Sequence, residues 1–263
     1  MNPQLFLVDA FTDREFGGNP AAVCVLDEPV GEAWMRRVAA ELNQPATAFL
    51  HERRLRWFTP VTELPLCGHA TLAAAHVLYE TGRVPRGERL VFQTGAGPLP
   101  VSNAGGLIRL EFAPVDVPET ADAGPVLDAL GLTEAVWVGG NGTEFVVVVG
   151  SRGQVEAVRP DLGRIRDLPV GRVLVTAAGG DRADFTSRNF APALGLGEDH
   201  VTGSAHAVLG PLWARRLGRD RLTAVQASAR RGRLEVEVRD EAVRVGGRAV
   251  TVVAGRWVPQ PAT

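Results

Sequence analysis

No lysine occurs among the 263 residues; all 28 basic side chains are arginine. A Schiff-base lysine, a phosphate-loop lysine and a lysine general base are therefore excluded. Cysteine is nearly as scarce. Cys24 and Cys67 make no disulfide framework, and no signal-peptide pattern opens the chain, so the reducing, cytoplasmic compartment is expected. Charge of one sign is lacking too: 28 basic against 30 acidic residues leave a formal net charge of -2. That balance provides no summed field for nucleic acid or anionic lipid, and a small-molecule partner is expected instead. Long apolar runs are also absent. The uncharged stretch Val91–Ile108 is broken by Gly95, Gly97, Pro98, Pro100, Asn103, Gly105 and Gly106, so it lacks the continuous apolar run that a membrane-spanning helix needs.

What is present is an ordinary globular composition, 45% hydrophobic and 22% charged. Such a chain folds as one large domain or as two of about 130 residues. Short runs rich in Val, Leu, Ile and Phe read as strands at Leu5–Phe11, Ala21–Leu26, Leu55–Phe58, Leu90–Gln93 and Leu107–Phe112. A second series lies at Glu144–Val149, Arg172–Thr176, Leu222–Ala227, Leu234–Val238, Ala242–Val245 and Ala249–Val253. Gly31–Leu42 carries Trp34, Val38 and Leu42 at helical spacing and reads as a surface helix. With strands dominant and few helices between them, the pattern favours an α+β arrangement of mixed or antiparallel sheets over a doubly wound parallel sheet. No glycine-rich dinucleotide fingerprint follows a strand and no phosphate-loop motif occurs, which argues against a bound dinucleotide or nucleoside triphosphate. The proline-marked stretch Pro114–Asp122 suggests a boundary, giving domains 1–115 and 116–263, with the extreme C-terminus able to pack back on the first.

Leu66-Cys67-Gly68-His69-Ala70 opens a helical segment running to Leu78, and Val201-Thr202-Gly203-Ser204-Ala205 opens another running to Trp213. Both are almost free of charge, so each must be surrounded by protein. Upstream, Phe58-Thr59-Pro60 matches Phe190-Ala191-Pro192, which makes the two halves a degenerate repeat. The first amides of a buried helix have no partner within the helix, and the aligned peptide dipoles place positive charge there. Such ends suit a carboxylate or a developing enolate. Cys67 and His69 flank one start, and Asp199, His200, Thr202 and Ser204 flank the other, as proton-transferring or nucleophilic groups. His69 and His76 raise the question of a metal, but the chain shows no four-ligand cluster, and none is expected. Arg188 is open to two readings, a bidentate contact to an anionic substrate or a structural ion pair. Cys24 reads as strand core.

These motifs, with Val8-Asp9-Ala10-Phe11-Thr12, Gly18-Asn19-Pro20-Ala21-Ala22-Val23, Glu63-Leu64-Pro65-Leu66-Cys67-Gly68-His69-Ala70-Thr71, Ser187-Arg188-Asn189-Phe190-Ala191-Pro192 and Glu198-Asp199-His200-Val201-Thr202-Gly203-Ser204-Ala205-His206, resemble the phenazine-biosynthesis isomerase (PhzF-like) family. The resemblance covers almost the whole chain. It implies the diaminopimelate-epimerase fold, two similar domains that are each a barrel-like mixed sheet around a central buried helix. It further implies a site in the cleft between the halves, no cofactor, a homodimer, and a small carboxylate substrate isomerised by proton transfer. The family's His and Asp match His69 and Asp199, and its glycines and serine match Gly68, Gly203 and Ser204. By resemblance to diaminopimelate epimerase, Cys67 stands where one catalytic cysteine lies and Thr202 where the other does. One departure is prominent. The family's shuttling glutamate belongs to a segment that here reads Asn43-Gln44-Pro45-Ala46-Thr47-Ala48-Phe49, so Ala46 replaces it. An alanine methyl carries no proton, which leaves Asp199, His69 or Cys67 as the base, or leaves a protein that binds a carboxylate metabolite without turning it over.

Overall fold

A computed structural model describes residues 3–180 and 183–258. The chain divides into two compact units, Met1–Glu111 with Gly246–Thr263, and Phe112–Val245. The first carries β1 (Gln4–Ala10), β2 (Asn19–Leu26), α1 (Glu32–Leu42), β3 (Ala46–His51), β4 (Arg54–Phe58), β5 (Glu63–Leu64), α2 (Gly68–Glu80), β6 (Leu90–Thr94), β7 (Gly97–Ala104) and β8 (Leu107–Phe112). The second carries α3 (Gly124–Leu130), β9 (Trp137–Gly140), β10 (Glu144–Val148), α4 (Arg152–Ala157), α5 (Leu162–Asp167), β11 (Arg172–Ala178), β12 (Phe185–Ala191), β13 (Leu196–Asp199), α6 (His206–Leu217), β14 (Arg221–Gln226), β15 (Gly232–Val238) and β16 (Val243–Gly247). The chain then returns to the first unit as β17 (Ala249–Arg256).

The internal repeat is written in the strand pairing. In the first unit the successive pairs β1/β2, β2/β3, β3/β4, β4/β6 and β6/β7 are antiparallel, parallel, antiparallel, parallel and antiparallel. In the second, β9/β10, β10/β11, β11/β12, β12/β14 and β14/β15 follow the same sequence of directions. β5 folds back on β4, and β13 folds back on β12. The sequence places the second domain at 116–263 with the extreme C-terminus able to pack back on the first; the segment from Gly246 groups with the first unit, where β17 pairs antiparallel with the other side of β1 and satisfies its backbone groups.

α2 packs on β1, β2, β3 and β17, and eleven of its thirteen residues are buried, so it has no solvent face. α6 packs on β14 and β15 with nine of twelve residues buried. Gly210 permits this approach, since a Cβ there would come within 2.8 Å of Val236 Cγ1. Pro211 lies inside α6 and cannot donate to the carbonyl of Ala207 four residues back. The backbone N–H of Val115 takes that carbonyl at 3.1 Å, so the proline leaves no buried acceptor unpaired. The second buried helix was expected to run continuously from Gly203. It begins instead as a 3-10 turn, Gly203–Ala205, and becomes α-helical at His206. α1 presents Met35, Val38 and Ala39 to the core, with Trp34 and Leu42 at its margins. Among the described residues no helix is long and apolar enough to cross a membrane.

Candidate functional site

Both buried helices begin from residues in the same extended conformation, Cys67 at φ -142° and ψ 101° and Thr202 at φ -117° and ψ 98°. Neither start is closed by a side-chain cap or by an acidic residue in its first turn. Among the peripheral helices, Ser151 caps α4 and Asp161 caps α5 through the amides of Gly163 and Arg164, whereas α1 and α3 also lack a side-chain cap.

A second shared device aims the two central starts. The Thr71 hydroxyl donates to the carbonyl of Cys67 at 2.7 Å, and His206 Nδ1 lies 2.9 Å from the carbonyl oxygen of Thr202. In each case the side chain four residues on holds the pivot carbonyl. That carbonyl shares a rigid peptide plane with the N–H of Gly68 or Gly203, so clamping the oxygen also fixes the direction of the N–H. The imidazole reaches the carbonyl only as an N–H donor at Nδ1, which leaves Nε2 as a buried lone pair with no partner. Full burial drives the His206 pKa down to about 4, so the ring is neutral near pH 7; the bond to Thr202 opposes that shift and the Arg172 charge adds to it.

In the first unit the structure brings together Cys67, Gly68 and His69. Cys67 Sγ lies 3.5 Å from His69 Nδ1, and both side chains are buried. In the second unit it brings together Asp199, Thr202, Gly203 and Ser204. Thr202 Oγ1 stands 2.5 Å from Asp199 Oδ2 and receives Asn189 Nδ2 at 2.7 Å and Gln226 Nε2 at 3.3 Å. Gln226 also accepts the backbone N–H of Thr202 at 2.8 Å and donates to the carbonyl of Asp199 at 2.7 Å, pinning the loop between them. With two donors entering its oxygen, Thr202 directs its own proton to Asp199, which is therefore held as an acceptor. Ser204 is half-buried, and its oxygen accepts from Arg172 Nη1 at 3.0 Å.

Other residues singled out in the sequence fall outside these groups. Arg188 forms a bidentate pair with Glu198 at 2.7 and 2.8 Å, donates to the carbonyl of Val158 and covers the Phe190 ring, which gives it a structural role in this unit. His76 bonds to Thr251 at 3.1 Å; burial lowers its pKa and Glu80 opposes the shift. His200 is half-buried beside Asp199, and burial lowers its pKa against the pull of that carboxylate. Burial pushes the Cys24 thiol up to about 12, consistent with strand core. Among the described residues no group of three or more His, Cys, Asp or Glu side chains could hold a metal ion. Thr71, Arg172, Glu144, Asn189, His206 and Gln226 were not singled out as site residues by the sequence. Thr71 and His206 had one legible signal, their matching offset from the two pivots.

Residues 8–255 match the family model described as phenazine biosynthesis-like protein. A Pseudomonas aeruginosa protein named as an uncharacterized isomerase is 44% identical over 264 residues, covering 97% of this chain and 98% of the relative. The crystal structure of a PhzF-family phenazine biosynthesis protein from Enterococcus faecalis superposes with a TM-score of 0.93 at 38% identity, covering 98% of this chain and all of that one. A hydroxyproline epimerase from Agrobacterium vitis, solved with bound trans-4-hydroxy-L-proline, shares the fold at a TM-score of 0.61 and 15% identity, over 97% of this chain and 92% of that one.

Proposed function

The chain belongs to the phenazine biosynthesis-like protein family, and from that premise we propose that it is a cofactor-independent isomerase or epimerase moving a proton on a small carboxylic acid. Asp199 and His69 are the proton-transferring side chains in this reading, and Gly68, Gly203 and Ser204 hold the substrate. The observation that carries it is the Asp199 carboxylate, oriented by the Thr202 hydroxyl at 2.5 Å beside an uncapped helix start. Asp199 removes a proton from the carbon next to the carboxylate. The electron pair moves onto the carboxylate oxygens, where the Gly203 amide and the Ser204 hydroxyl stabilise it. Return of a proton to the same or a different position gives the product, with His69 as donor and its neighbour Cys67, 3.5 Å away, as the group that renews its proton. The ligand of the hydroxyproline epimerase, a small cyclic carboxylic acid, belongs to the same class.

The same reading makes the protein a cytoplasmic homodimer that engages neither nucleic acid nor membrane; light scattering on the purified chain tests the dimer. Exchange of substrate carbon-bound protons with deuterated solvent tests the chemistry. Deuterium entry into dihydro-hydroxyanthranilate or a related small carboxylic acid supports an enzyme. A second reading, in which the protein binds a carboxylate metabolite without turnover, follows if Ala46, which has no exposed surface, stands where the resemblance places the family glutamate. A ligand that binds and exchanges no proton at any pH decides for that reading.

A further inference from the structure

Three of the buried side-chain atoms without a hydrogen-bond partner among the described residues belong to Ser187, Asn189 and His206, which are 1%, 2% and 0% exposed. They are Ser187 Oγ, Asn189 Oδ1 and His206 Nε2. Side chains alternate along a strand, so β12 carries Phe185, Ser187 and Asn189 on one face. His206 lies against that face. At one end its ring centroid is 5.6 Å from that of Phe185; at the other its Nδ1 holds the carbonyl of Thr202, whose hydroxyl receives Asn189 Nδ2 at 2.7 Å. Ser187 is the residue between those two anchors, which puts the three orphan atoms in one buried neighbourhood.

Their chemistry complements a single ligand. His206 Nε2 only accepts, because Nδ1 carries the ring proton. Asn189 Oδ1 only accepts as well: the Thr202 oxygen, whose own proton goes to Asp199, takes the N–H end of the amide and turns the oxygen away. Two acceptors cannot satisfy each other, and the Ser187 hydroxyl has one proton to give. A group with two donors and one acceptor closes all three, and water is that group. A cation would add buried positive charge near Arg172, whose charge already acts on the His206 ring. We propose that Ser187, Asn189 and His206 bind one buried water, which donates to His206 Nε2 and Asn189 Oδ1 and accepts from Ser187 Oγ. The water braces Thr202 from two sides, since Asn189 holds its hydroxyl and His206 its carbonyl. Ser187 is thereby a positioning residue, and that role, unlike the water itself, rests on the reading of Asp199 as the base.

The test uses the full chain with isotope-labelled histidine rings at pH 7, where His206 is neutral. Nε2 is expected at the upfield resonance of an unprotonated ring nitrogen that accepts a hydrogen bond, and the ring carbon-bound protons should cross-relax with a long-lived water. Ser187→Val removes the donor and fills the space, so the water peak should vanish and Nε2 should move downfield. A native chain with Nε2 at the free position overturns the proposal, whether or not the valine variant folds. So does a bonded Nε2 without a water peak, which would mean a direct bond from Ser187, and so does a Ser187→Val protein that retains the peak. The positioning role is read by deuterium exchange into saturating dihydro-hydroxyanthranilate, expected to slow by roughly tenfold in Ser187→Val, the scale of one hydrogen bond. Binding is read separately, by titrating acetate into the isotope-labelled full chain while the amide resonances of Gly203 and Ser204 are followed, and should be unchanged. Full exchange in the folded variant overturns the positioning role. Absence of exchange in the native chain overturns the Asp199 reading instead, and the ring nitrogen still decides the water.

Discussion

Thr202 Oγ1 stands 2.5 Å from Asp199 Oδ2, and the donors Asn189 and Gln226 both point into the same hydroxyl oxygen. The threonine proton has one destination, so Asp199 accepts there with its orientation set, as the proposed role of general base requires. Asp199→Asn keeps the shape and removes the basic oxygen. Deuterium incorporation into substrate should fall by about a hundred- to ten-thousand-fold, the usual contribution of a general base. Acetate binding should survive, because the asparagine also removes a neighbouring negative charge. Unchanged exchange in the variant would take Asp199 out of the proton-transfer path.

His206 predicts a pH dependence of stability. Its folded pKa, about 4, lies below the ordinary imidazole value of 6.5, so between those values the unfolded chain binds the extra proton. The contribution is fully present above pH 6.5 and is lost as pH falls toward 4. For a fully buried ring the difference corresponds to about 3 kcal/mol, as an order of magnitude. Denaturant titrations at pH 7 and pH 4.5 should show a loss in the native protein that His206→Gln lacks. Parallel pH profiles in the two proteins would mean that the ring is not held neutral.

Thr71 is the first unit's version of the same clamp. Thr71→Val preserves volume and removes the bond to the Cys67 carbonyl, at a cost of about 1 kcal/mol in stability. The Gly68 amide loses its fixed direction, so its resonance should respond roughly tenfold more weakly to acetate, a change on the scale of one hydrogen bond. Thr71→Ser, which keeps the hydroxyl, should restore the response. A valine variant that responds normally would show that the peptide plane is fixed by the helix alone.

Much of this frame is legible in the sequence because it follows from local patterns. Two helices without a charged face demand enclosure, and their matching start motifs expose the repeat before any strand is paired. The strand Phe185–Ala191 is not legible as a strand, because Arg188 and Asn189 read as surface residues. Only the fold supplies Glu198 as the partner of one and Thr202 as the partner of the other. Gln226 is hidden for the same reason: it is 24 residues from Thr202, and nothing near it marks it out. The return of β17 to β1 is a pairing across nearly the whole chain, which periodicity cannot register.

Arg188 separates structural from functional arginine. Its side chain is 11% exposed, pairs bidentately with Glu198 and packs over Phe190. Arg188→Met leaves Glu198 without its partner in a partly buried place, and removing one member of such a pair costs up to about 3 kcal/mol. Thermal denaturation should show a clear drop in midpoint. The acetate response of Gly203 and Ser204 in the folded fraction should be unchanged, and a selective loss of that response would reopen the substrate-contact reading.

Ala46 tests the proposal that this position once carried a proton-shuttling carboxyl. It begins β3 in register with Ala21 and has no exposed surface. Its register equivalent in the other unit, Arg172, shows that a long side chain at this position reaches the neighbouring helix start, since it touches Ser204. Ala46→Glu should therefore overfill the core locally, costing about 1–3 kcal/mol, while directing a carboxyl toward the start of α2. Deuterium exchange into dihydro-hydroxyanthranilate should rise by about a hundredfold or more over the native chain, the lower end of what a positioned acid/base supplies. A folded Ala46→Glu protein that still binds acetate and gains no exchange would mean that a carboxyl at this position is not what limits the proposed chemistry.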